Sequence, residues 1–457
     1  MRDTGLRRLT AGATALLAVL LAVLLAVLLA GCDLDTSGGT AAKAAGTSSP
    51  TATTAPDESG PSPDDSDPTP EDEAAIRALM ADRARAVMEG DAKAFRATVD
   101  PRQPKLVASQ MTLFHNLEAL PLDSLTYNVS TVYLVPAHVP GGDPVLHPQM
   151  LEQLQLSSTM VHPLSNKLDV TLVKRGKRWL VGAEREPGAK GAVEKPQERP
   201  WFGAAIAVHH EGRLTVLVDR ANEDRLAGLV DVVQSGVERD AAVLGVEPDT
   251  RVLVDATSNG EAESFGAGVK EKVGAVTFPM VSTLLDDLGG SGEGQVAGTA
   301  IKINPTDVEE LLDEDRLLWH ELTHYLLIRH AVSSPVWLSE GVASWSEWQP
   351  TRMSGLVVPD ELYDDVQRRP HELPTRGVFY DDPAANYLFA QAAVQWLVDR
   401  NGTDRLLELM KSYDGLLKGV GDTDVDASTV KALRRVYGIS EKELVNGAFE
   451  TLATLHH

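Results

Sequence analysis

The sequence predicts an α+β protein in which two folded domains follow a long N-terminal extension. Three observations support this prediction. The chain has 457 residues, more than one hydrophobic core usually organises. Patterns typical of helices and of strands occur in two separate regions after residue 71. The composition, with 43% hydrophobic and 24% charged residues, is typical of globular proteins and excludes a chain that is disordered throughout.

Net charge and cysteine content exclude several classes of function. The chain carries 42 Lys and Arg residues against 66 Asp and Glu residues, a formal net charge of −24. Nucleic-acid phosphates bind to cationic protein faces, so we predict no nucleic-acid partner. Cys32 is the only cysteine. The sequence therefore excludes an intrachain disulfide, a cysteine-based zinc knuckle and an iron–sulfur cluster.

Residues 1–31 are typical of an export signal. Three arginines precede an apolar run over residues 11–30, and small residues end the run. Leu-Ala-Gly-Cys at positions 29–32 resembles the bacterial lipobox, which implies that Cys32 is lipidated and becomes the first residue of the mature chain. The alternative is a transmembrane anchor, because the run approaches spanning length. Both alternatives predict an extracytoplasmic protein; the lipobox implies a lipid anchor at the outer face of the bacterial cell membrane.

Residues 32–71 predict a flexible tether between this anchor and the folded part. They consist mainly of Ser, Thr, Pro, Gly, Ala and Asp, with almost no large apolar side chains. Such a segment cannot bury enough surface to offset the loss of chain entropy on folding. The negative charge of the protein opposes adsorption to an anionic bilayer, so membrane attachment would depend on the lipid at Cys32.

Residues 72–185 predict a small α+β domain. A helical hydrophobic stripe runs from Ile76 to Val87, and a second, short helix carries Phe95. Strand-like alternation follows over residues 125–135, and a hairpin over residues 168–181 ends the segment. We therefore expect helices first and antiparallel strands after them.

Two stretches of this domain resemble small nuclear-transport-factor-like domains. They are Val87-Met88-Glu89-Gly90-Asp91 with the following Phe95, and the hairpin Gly176-Lys177-Arg178-Trp179. The resemblance implies a cone-like α+β scaffold. Such scaffolds host many functions, so the resemblance implies little about activity.

Residues 196–457 predict a second domain, after a charged segment with Gly and Pro over residues 182–200. Its first part predicts a mixed sheet with two helices. The predicted strands are 205–209, 214–218, 251–256, 275–278 and 299–303, and the predicted helices are 222–244 and 265–272. The remainder predicts helices only, so we expect a helical C-terminal subdomain.

The segment His320-Glu321-Leu322-Thr323-His324 has the spacing H-E-x-x-H within an apolar helical background. Histidines four residues apart lie one turn apart on the same helix face, so both imidazoles can bind one ion. Glu321 is rotated by about 100° from His320, which lets it lie beside the ion and accept a proton from water. Zinc suits this set of side chains. The alternative is a helix whose histidines only pack against or cap neighbouring groups.

A second helix is expected from about Pro335, and it carries Glu340. Two helices with a short connection can pack side by side and bring Glu340 to the two histidines. Three protein ligands and an open position for water are the arrangement found in catalytic zinc sites. The alternative is that Glu340 is an exposed acid of its helix.

Together, His320-Glu-Leu-Thr-His324 and Trp337-Leu-Ser-Glu340-Gly resemble the gluzincin metallopeptidases, specifically the compact bacterial peptidases of the MA-like type. The resemblance implies a zincin-like domain with a mixed sheet before the H-E-x-x-H helix. It further implies one zinc ion bound by His320, His324 and Glu340, with Glu321 as the general base in the hydrolysis of peptide bonds.

Three positions around this motif carry further expectations. Thermolysin-like peptidases have an acid four residues after the third zinc ligand, which orients a histidine. Ser344 occupies that position here, and Glu347, one turn further along, can substitute for it. In similar peptidases a later helix carries a tyrosine that holds the oxyanion, and Tyr387 is the candidate in this chain. The alternative for Tyr387 is a tyrosine of the core or of the rim.

The sequence thus predicts a membrane-tethered zinc metallopeptidase that acts on a peptide or protein substrate outside the cytoplasm. A second hypothesis is a catalytically inactive, metal-binding lipoprotein that serves as a binding or assembly module of the cell envelope. A third is hydrolysis directed at cell-wall peptides. Residue patterns alone do not separate these substrates.

Overall fold

The computed structural model describes residues 68–137, 144–185, 199–259, 274–282, 296–331, 333–349, 358–414 and 422–455. The predicted export signal, Cys32 and most of the predicted tether lie outside these ranges, as does the helix predicted over residues 265–272. Within the described ranges, no helix combines the length and the apolar character needed to cross a membrane. The described residues form two sheets and a larger number of helices, which confirms the predicted α+β class.

The first domain, as described from residue 68 to residue 185, packs helices against an antiparallel sheet of four strands. The helices are α1 (Pro70–Met88), α2 (Ala92–Arg96) and α3 (Pro104–Ala119), and the strands are β1 (Leu122–Ala137), β2 (Val145–Leu156), β3 (Leu164–Arg175) and β4 (Arg178–Arg185). The strands are hydrogen-bonded in chain order. The predicted order of helices followed by antiparallel strands is confirmed, while α3 and β2 were not predicted.

Helix α3 was not predicted because its apolar residues do not form a continuous stripe. Gln110 and Asn116 are buried on this helix, so polar side chains interrupt its apolar stripe. The Asn116 amide donates to the carbonyl oxygens of Trp201 and Ala204 at 3.0 and 2.8 Å. Its own oxygen accepts from the Ile206 N–H at 3.1 Å. The hydrogen-bond partners that allow Asn116 to be buried are thus about ninety residues away in sequence.

Helix α1 is joined to the sheet through its N-terminal cap. Thr69 Oγ1 accepts from the Asp72 N–H at 3.2 Å, and the Asp72 carboxylate accepts from the Thr69 N–H at 3.4 Å, which forms a capping box. The same carboxylate accepts from Lys174 Nζ at 2.6 Å and from Trp179 Nε1 at 2.9 Å. Burial raises the pKa of Asp72, but the hydrogen bonds from Lys174, Trp179 and Thr69 outweigh burial and lower this pKa to about 2.

The second domain combines a mixed sheet with a larger set of helices. Its strands are β5 (Ile206–Glu211), β6 (Leu214–Asp219), β7 (Leu253–Ala256), β8 (Ala275–Val281) and β9 (Val296–Ile303). Its helices are α4 (Leu226–Leu244), α5 (Val308–Asp313), α6 (Arg316–Leu326), α7 (Ile328–Ala331), α8 (Val336–Glu347), α9 (Asp360–Arg368), α10 (Arg376–Phe379), α11 (Pro383–Lys411), α12 (Asp422–Val436) and α13 (Glu441–Leu455). The strand order is β5-β6-β7-β9-β8, in which β7 pairs in parallel with both neighbours and the two edge pairs are antiparallel.

The two faces of this mixed sheet bury different elements. Val254 and Ile301 belong to one hydrophobic core with helices α4 and α6. Leu253 and Ala300, their neighbours in sequence, belong to another core that includes Leu113 of the first domain. Successive strand residues point to opposite faces of a sheet. The first domain therefore covers one face, and the helix with the H-E-x-x-H motif covers the other.

The residues that begin the second domain insert into the first. Arg199 is fully buried and donates to both carboxylate oxygens of Glu152 at 3.1 and 2.9 Å and to Glu184 at 3.1 Å. Trp201 is also fully buried, and its indole N–H donates to Glu152 at 3.1 Å. The two domains are therefore joined by buried ion pairs as well as by a shared hydrophobic core.

Candidate metal centre

Helix α6 places the two histidines of the motif. Leu318, Leu322 and Tyr325 recur at helical spacing and are buried in the core shared with α4. This packing fixes the rotation of the helix about its axis. His320 and His324 lie one turn apart on it, with only 1% and 4% of their surfaces exposed.

Helix α8 brings Glu340 to the histidines from the opposite side. The short helix α7 connects α6 to α8, and every residue of α8 is buried. A β-carbon at Gly341 would lie 2.7 Å from the carbonyl oxygen of Ala390 on α11. Only glycine permits so close an approach, so residue 341 lets the helix press against α11 while Glu340 faces α6.

The three predicted ligands converge on one point. His320 Nε2 and His324 Nε2 are 3.2 Å apart, and each is 3.4 Å from Glu340 Oε2. Ligand atoms about 2.0–2.1 Å from a tetrahedral zinc ion lie about 3.3–3.4 Å from one another. Both Glu340 carboxylate oxygens are buried and have no hydrogen-bond partner among the described residues. A buried carboxylate of this kind requires a cation, so the residues fit a zinc ion.

The outer nitrogen of each histidine has its own contact. His320 Nδ1 lies 3.2 Å from Glu347 Oε2, and the Trp348 indole N–H donates to the other Glu347 oxygen at 2.8 Å. His324 Nδ1 lies 3.4 Å from Ser339 Oγ. Glu347 is thus the acid that orients His320, whereas the buried hydroxyl of Ser344 has no partner among the described residues. Such outer contacts fix the ring orientation and raise the basicity of a ligating imidazole.

Carboxylates also determine the electrostatics of the centre. Burial lowers the pKa of His320, but the nearby carboxylates of Glu340 and Glu347 outweigh burial and raise this pKa to about 10. Burial raises the pKa of Glu340, and the charges of His324 and His320 reverse the effect and lower it to about 2. Carboxylates that favour a proton on the His320 imidazole also favour a metal cation in the same place.

Glu321 lies beside the three ligands without being one of them. Thr277 Oγ1, on strand β8, donates to Glu321 Oε2 at 2.7 Å and to the Glu321 carbonyl oxygen at 2.9 Å. The second carboxylate oxygen, Oε1, is buried and has no partner among the described residues. Burial raises the pKa of Glu321, which makes it a better proton acceptor than an exposed glutamate.

Two tyrosines approach the centre from the helical subdomain. The ring centroid of Tyr387, on α11, lies 6.2 Å from that of His320. Tyr380, next to α10, is only half-buried. Both hydroxyl oxygens are buried without a hydrogen-bond partner in the described part of the chain. Burial and the charge of Glu340 raise the pKa of both tyrosines, so both are neutral hydrogen-bond donors.

The structure brings together the six residues that the sequence singled out for the centre and adds two that it did not. The six are His320, Glu321, His324, Glu340, Glu347 and Tyr387, and the two additions are Thr277 and Tyr380. Thr277 was overlooked because it lies in an ordinary strand, where nothing in the local pattern distinguishes a threonine that contacts a helix. Tyr380 was overlooked although it lies only seven residues before Tyr387. Searches among protein families, curated proteins and solved structures gave no match to the chain. The function of this chain is therefore inferred from the geometry of the described residues alone.

Proposed function

We propose that the protein is a membrane-tethered, extracytoplasmic zinc metallopeptidase of the gluzincin type. The observation that supports this most strongly is the convergence of His320 Nε2, His324 Nε2 and Glu340 Oε2 at 3.2–3.4 Å from one another. No fourth His, Cys, Asp or Glu of the described residues joins this group. Three protein ligands are typical of catalytic zinc, whereas structural zinc usually has four.

When bound, a zinc ion would act as a Lewis acid that polarises the scissile carbonyl and acidifies water. Glu321 accepts the proton of the attacking water on the free oxygen Oε1 and delivers it to the leaving amine. Thr277 holds the other Glu321 oxygen, which fixes the direction of Oε1. The Tyr387 hydroxyl donates a hydrogen bond to the oxyanion that develops from the carbonyl.

The test combines metal analysis with peptide cleavage by the purified full-length chain. We expect one zinc ion per chain and cleavage of a peptide library that a chelator abolishes. Glu321→Gln keeps the shape of the side chain and its contact with Thr277, so it should retain zinc and lose cleavage by at least about 100-fold. Cleavage that survives this substitution would remove Glu321 from the mechanism, and a chain without zinc would remove the whole proposal.

The burial of the centre favours a second candidate, a catalytically inactive metal-binding lipoprotein of the cell envelope. Glu340 and Glu321 are fully buried, and neither histidine exceeds 4% exposure. A structural ion is typically enclosed in this way. Metal exchange separates the two candidates: a catalytic ion exchanges with cadmium within minutes in the folded protein, and a structural ion leaves only when the chain unfolds.

A further inference from the structure

Arg239, on helix α4, contacts both helices that carry the zinc ligands. Its guanidinium carbon lies 4.0 Å from the centroid of the Trp319 ring on α6. One guanidinium nitrogen donates to the carbonyl oxygens of Ser346 and Gln349, at the C-terminal end of α8. One side chain thus bridges α6 and α8, although it belongs to neither.

These contacts suit arginine and no other side chain. The last carbonyl groups of a helix have no partners within the helix, and the helix dipole makes this end negative. A planar guanidinium can stack on an indole ring while its edge donates to two carbonyl oxygens. A lysine ammonium has neither the flat face nor the fork of donors.

A neighbouring carboxylate balances the charge of the guanidinium. Asp240 is fully buried, and its Oδ1 accepts from Arg239 and, at 3.2 Å, from Ser346 Oγ. Burial of an unpaired charge is costly, whereas a hydrogen-bonded pair is tolerated. The pair therefore holds Ser346 through both its carbonyl oxygen and its hydroxyl.

Both residues that Arg239 contacts on these helices are next in sequence to residues of the candidate metal centre. Trp319 immediately precedes His320 on α6. Ser346 immediately precedes Glu347, whose carboxylate lies 3.2 Å from His320 Nδ1. A displacement of either helix at this bridge would therefore move a zinc ligand or the acid that orients it.

We propose that Arg239 is a positioning residue that holds α6 and α8 in the register at which the three ligand atoms converge. It acts through its contacts with Trp319 and Ser346. It acts by holding the ligand side chains in place before an ion binds. Ion binding then loses less free energy to the ordering of these side chains. This inference rests on the metal site of the proposed function and not on peptidase activity.

The test measures zinc affinity of the full-length chain against a chromophoric chelator, with Arg239→Met and Arg239→Lys as the variants. We expect both to bind zinc about 10–100-fold more weakly than wild type, the range typical for loss of outer contacts of a metal ligand. Cobalt in place of zinc should show weaker visible absorption bands in both variants, because the four-coordinate geometry is distorted. The matched control is Arg400→Met, which removes an arginine stacked on Trp396 at 5.2 Å in another part of the molecule and should leave zinc affinity unchanged.

Zinc affinity and cobalt spectra of Arg239→Met equal to those of Arg400→Met would overturn the inference. If Arg239→Met does not fold, Trp319→Phe provides the test, because phenylalanine keeps an apolar ring at position 319 but weakens the stacking with Arg239. We expect this variant to bind zinc about 3–10-fold more weakly than wild type. Unchanged zinc binding would overturn the inference. A wild-type chain that binds zinc without cleaving peptides would refute the peptidase and leave Arg239 in its role. A wild-type chain that binds no zinc would refute both.

Discussion

At the scale of single residues, the centre depends on carboxylates placed where a protein normally avoids them. Glu340 and Glu321 are fully buried, and three of their four side-chain oxygens have no hydrogen-bond partner among the described residues. A buried carboxylate without partners costs several kcal/mol, and a chain retains it only where a cation or a reaction compensates. The histidines provide partial compensation, since they lie 3.4 Å from Glu340.

The acid beside His320 gives the first prediction. Glu347→Gln should weaken zinc binding about 10–100-fold, because the neutral amide no longer raises the basicity of the imidazole. Ser344→Ala, the substitution at the position where thermolysin-like enzymes carry this acid, should leave zinc affinity unchanged. Competition against a chelator of known affinity measures both. Unchanged zinc affinity in Glu347→Gln would mean that the 3.2 Å contact between His320 Nδ1 and Glu347 does not contribute to metal binding.

The hydroxyl of Tyr387 gives the second prediction. Tyr387→Phe should lower kcat about 100-fold and leave KM and zinc content unchanged, because the hydroxyl donates only to a developing oxyanion. The free energy of unfolding should not fall, since the buried hydroxyl has no hydrogen-bond partner among the described residues. Tyr380→Phe, measured in parallel, is the comparison. A larger loss of kcat in that variant would assign the oxyanion contact to Tyr380.

At the scale of elements, function depends on how helices begin, end and approach one another. The fifteen residues between His324 and Glu340 include helix α7 and the start of α8, and they bring Glu340 back over the histidines. Gly341 allows α8 to approach α11 closely. In the first domain, the cap of α1 has a comparable role, because Asp72 joins the start of the helix to strands β3 and β4.

This cap gives a prediction about pH. Asp72→Asn should lower the free energy of unfolding by about 1–2 kcal/mol at pH 7, through the loss of a cap and of two hydrogen bonds from the sheet. The folded pKa of about 2 lies below the ordinary value of 3.8, so this contribution is complete above pH 4 and disappears as the pH falls through 2. The difference between wild type and variant should therefore shrink across that window.

Urea unfolding at pH 7, 4 and 3 measures the effect of the cap. Asp82→Asn is the control, because Asp82 lies on the same helix, is 57% exposed and pairs with Arg85 on the surface. It should change the free energy of unfolding by less than about 0.5 kcal/mol. A constant difference between wild type and Asp72→Asn from pH 7 to pH 3 would contradict the predicted titration.

At the scale of the whole molecule, the two domains depend on each other for a core. Leu253 and Ala300 of the mixed sheet pack with Leu113 of the first domain, and Arg199 lies among the first domain's glutamates. Strand β8 connects this interface to the centre, since Thr277 contacts Glu321 while Met280 belongs to the core shared with the first domain. The first domain is therefore a structural part of the unit that contains the candidate metal centre.

This dependence gives the fourth prediction. A fragment of residues 196–457 should aggregate and bind no zinc, because removal of the first domain exposes one apolar face of the sheet and leaves Arg199 without its carboxylate partners. The control, a chain that lacks only residues 1–67, should be monodisperse and bind zinc. Light scattering and metal analysis distinguish the two. A soluble fragment with one bound zinc ion would show that the sheet does not require the first domain.

The site was more predictable from sequence than much of the fold around it. His320, Glu321 and His324 belong to one helix, where spacing alone decides which side chains share a face. Glu340 and Glu347 followed from a second helix close in sequence. Thr277 could not be found in this way, because its contact with Glu321 spans 44 residues. No local pattern carries information about such a partner.

The sequence by itself determined the α+β class, and it predicted that His320, His324 and Glu340 converge and that Glu347 can contact a histidine, because these follow from periodicity, composition and spacing within a few turns of chain. Only the tertiary structure decided that helix α3 buries Asn116, that the two domains share a core, and that Arg239 bridges the ligand-bearing helices. The physical reason is that a buried polar side chain is stable only beside its partners. Those partners lie on distant segments that folding alone brings together.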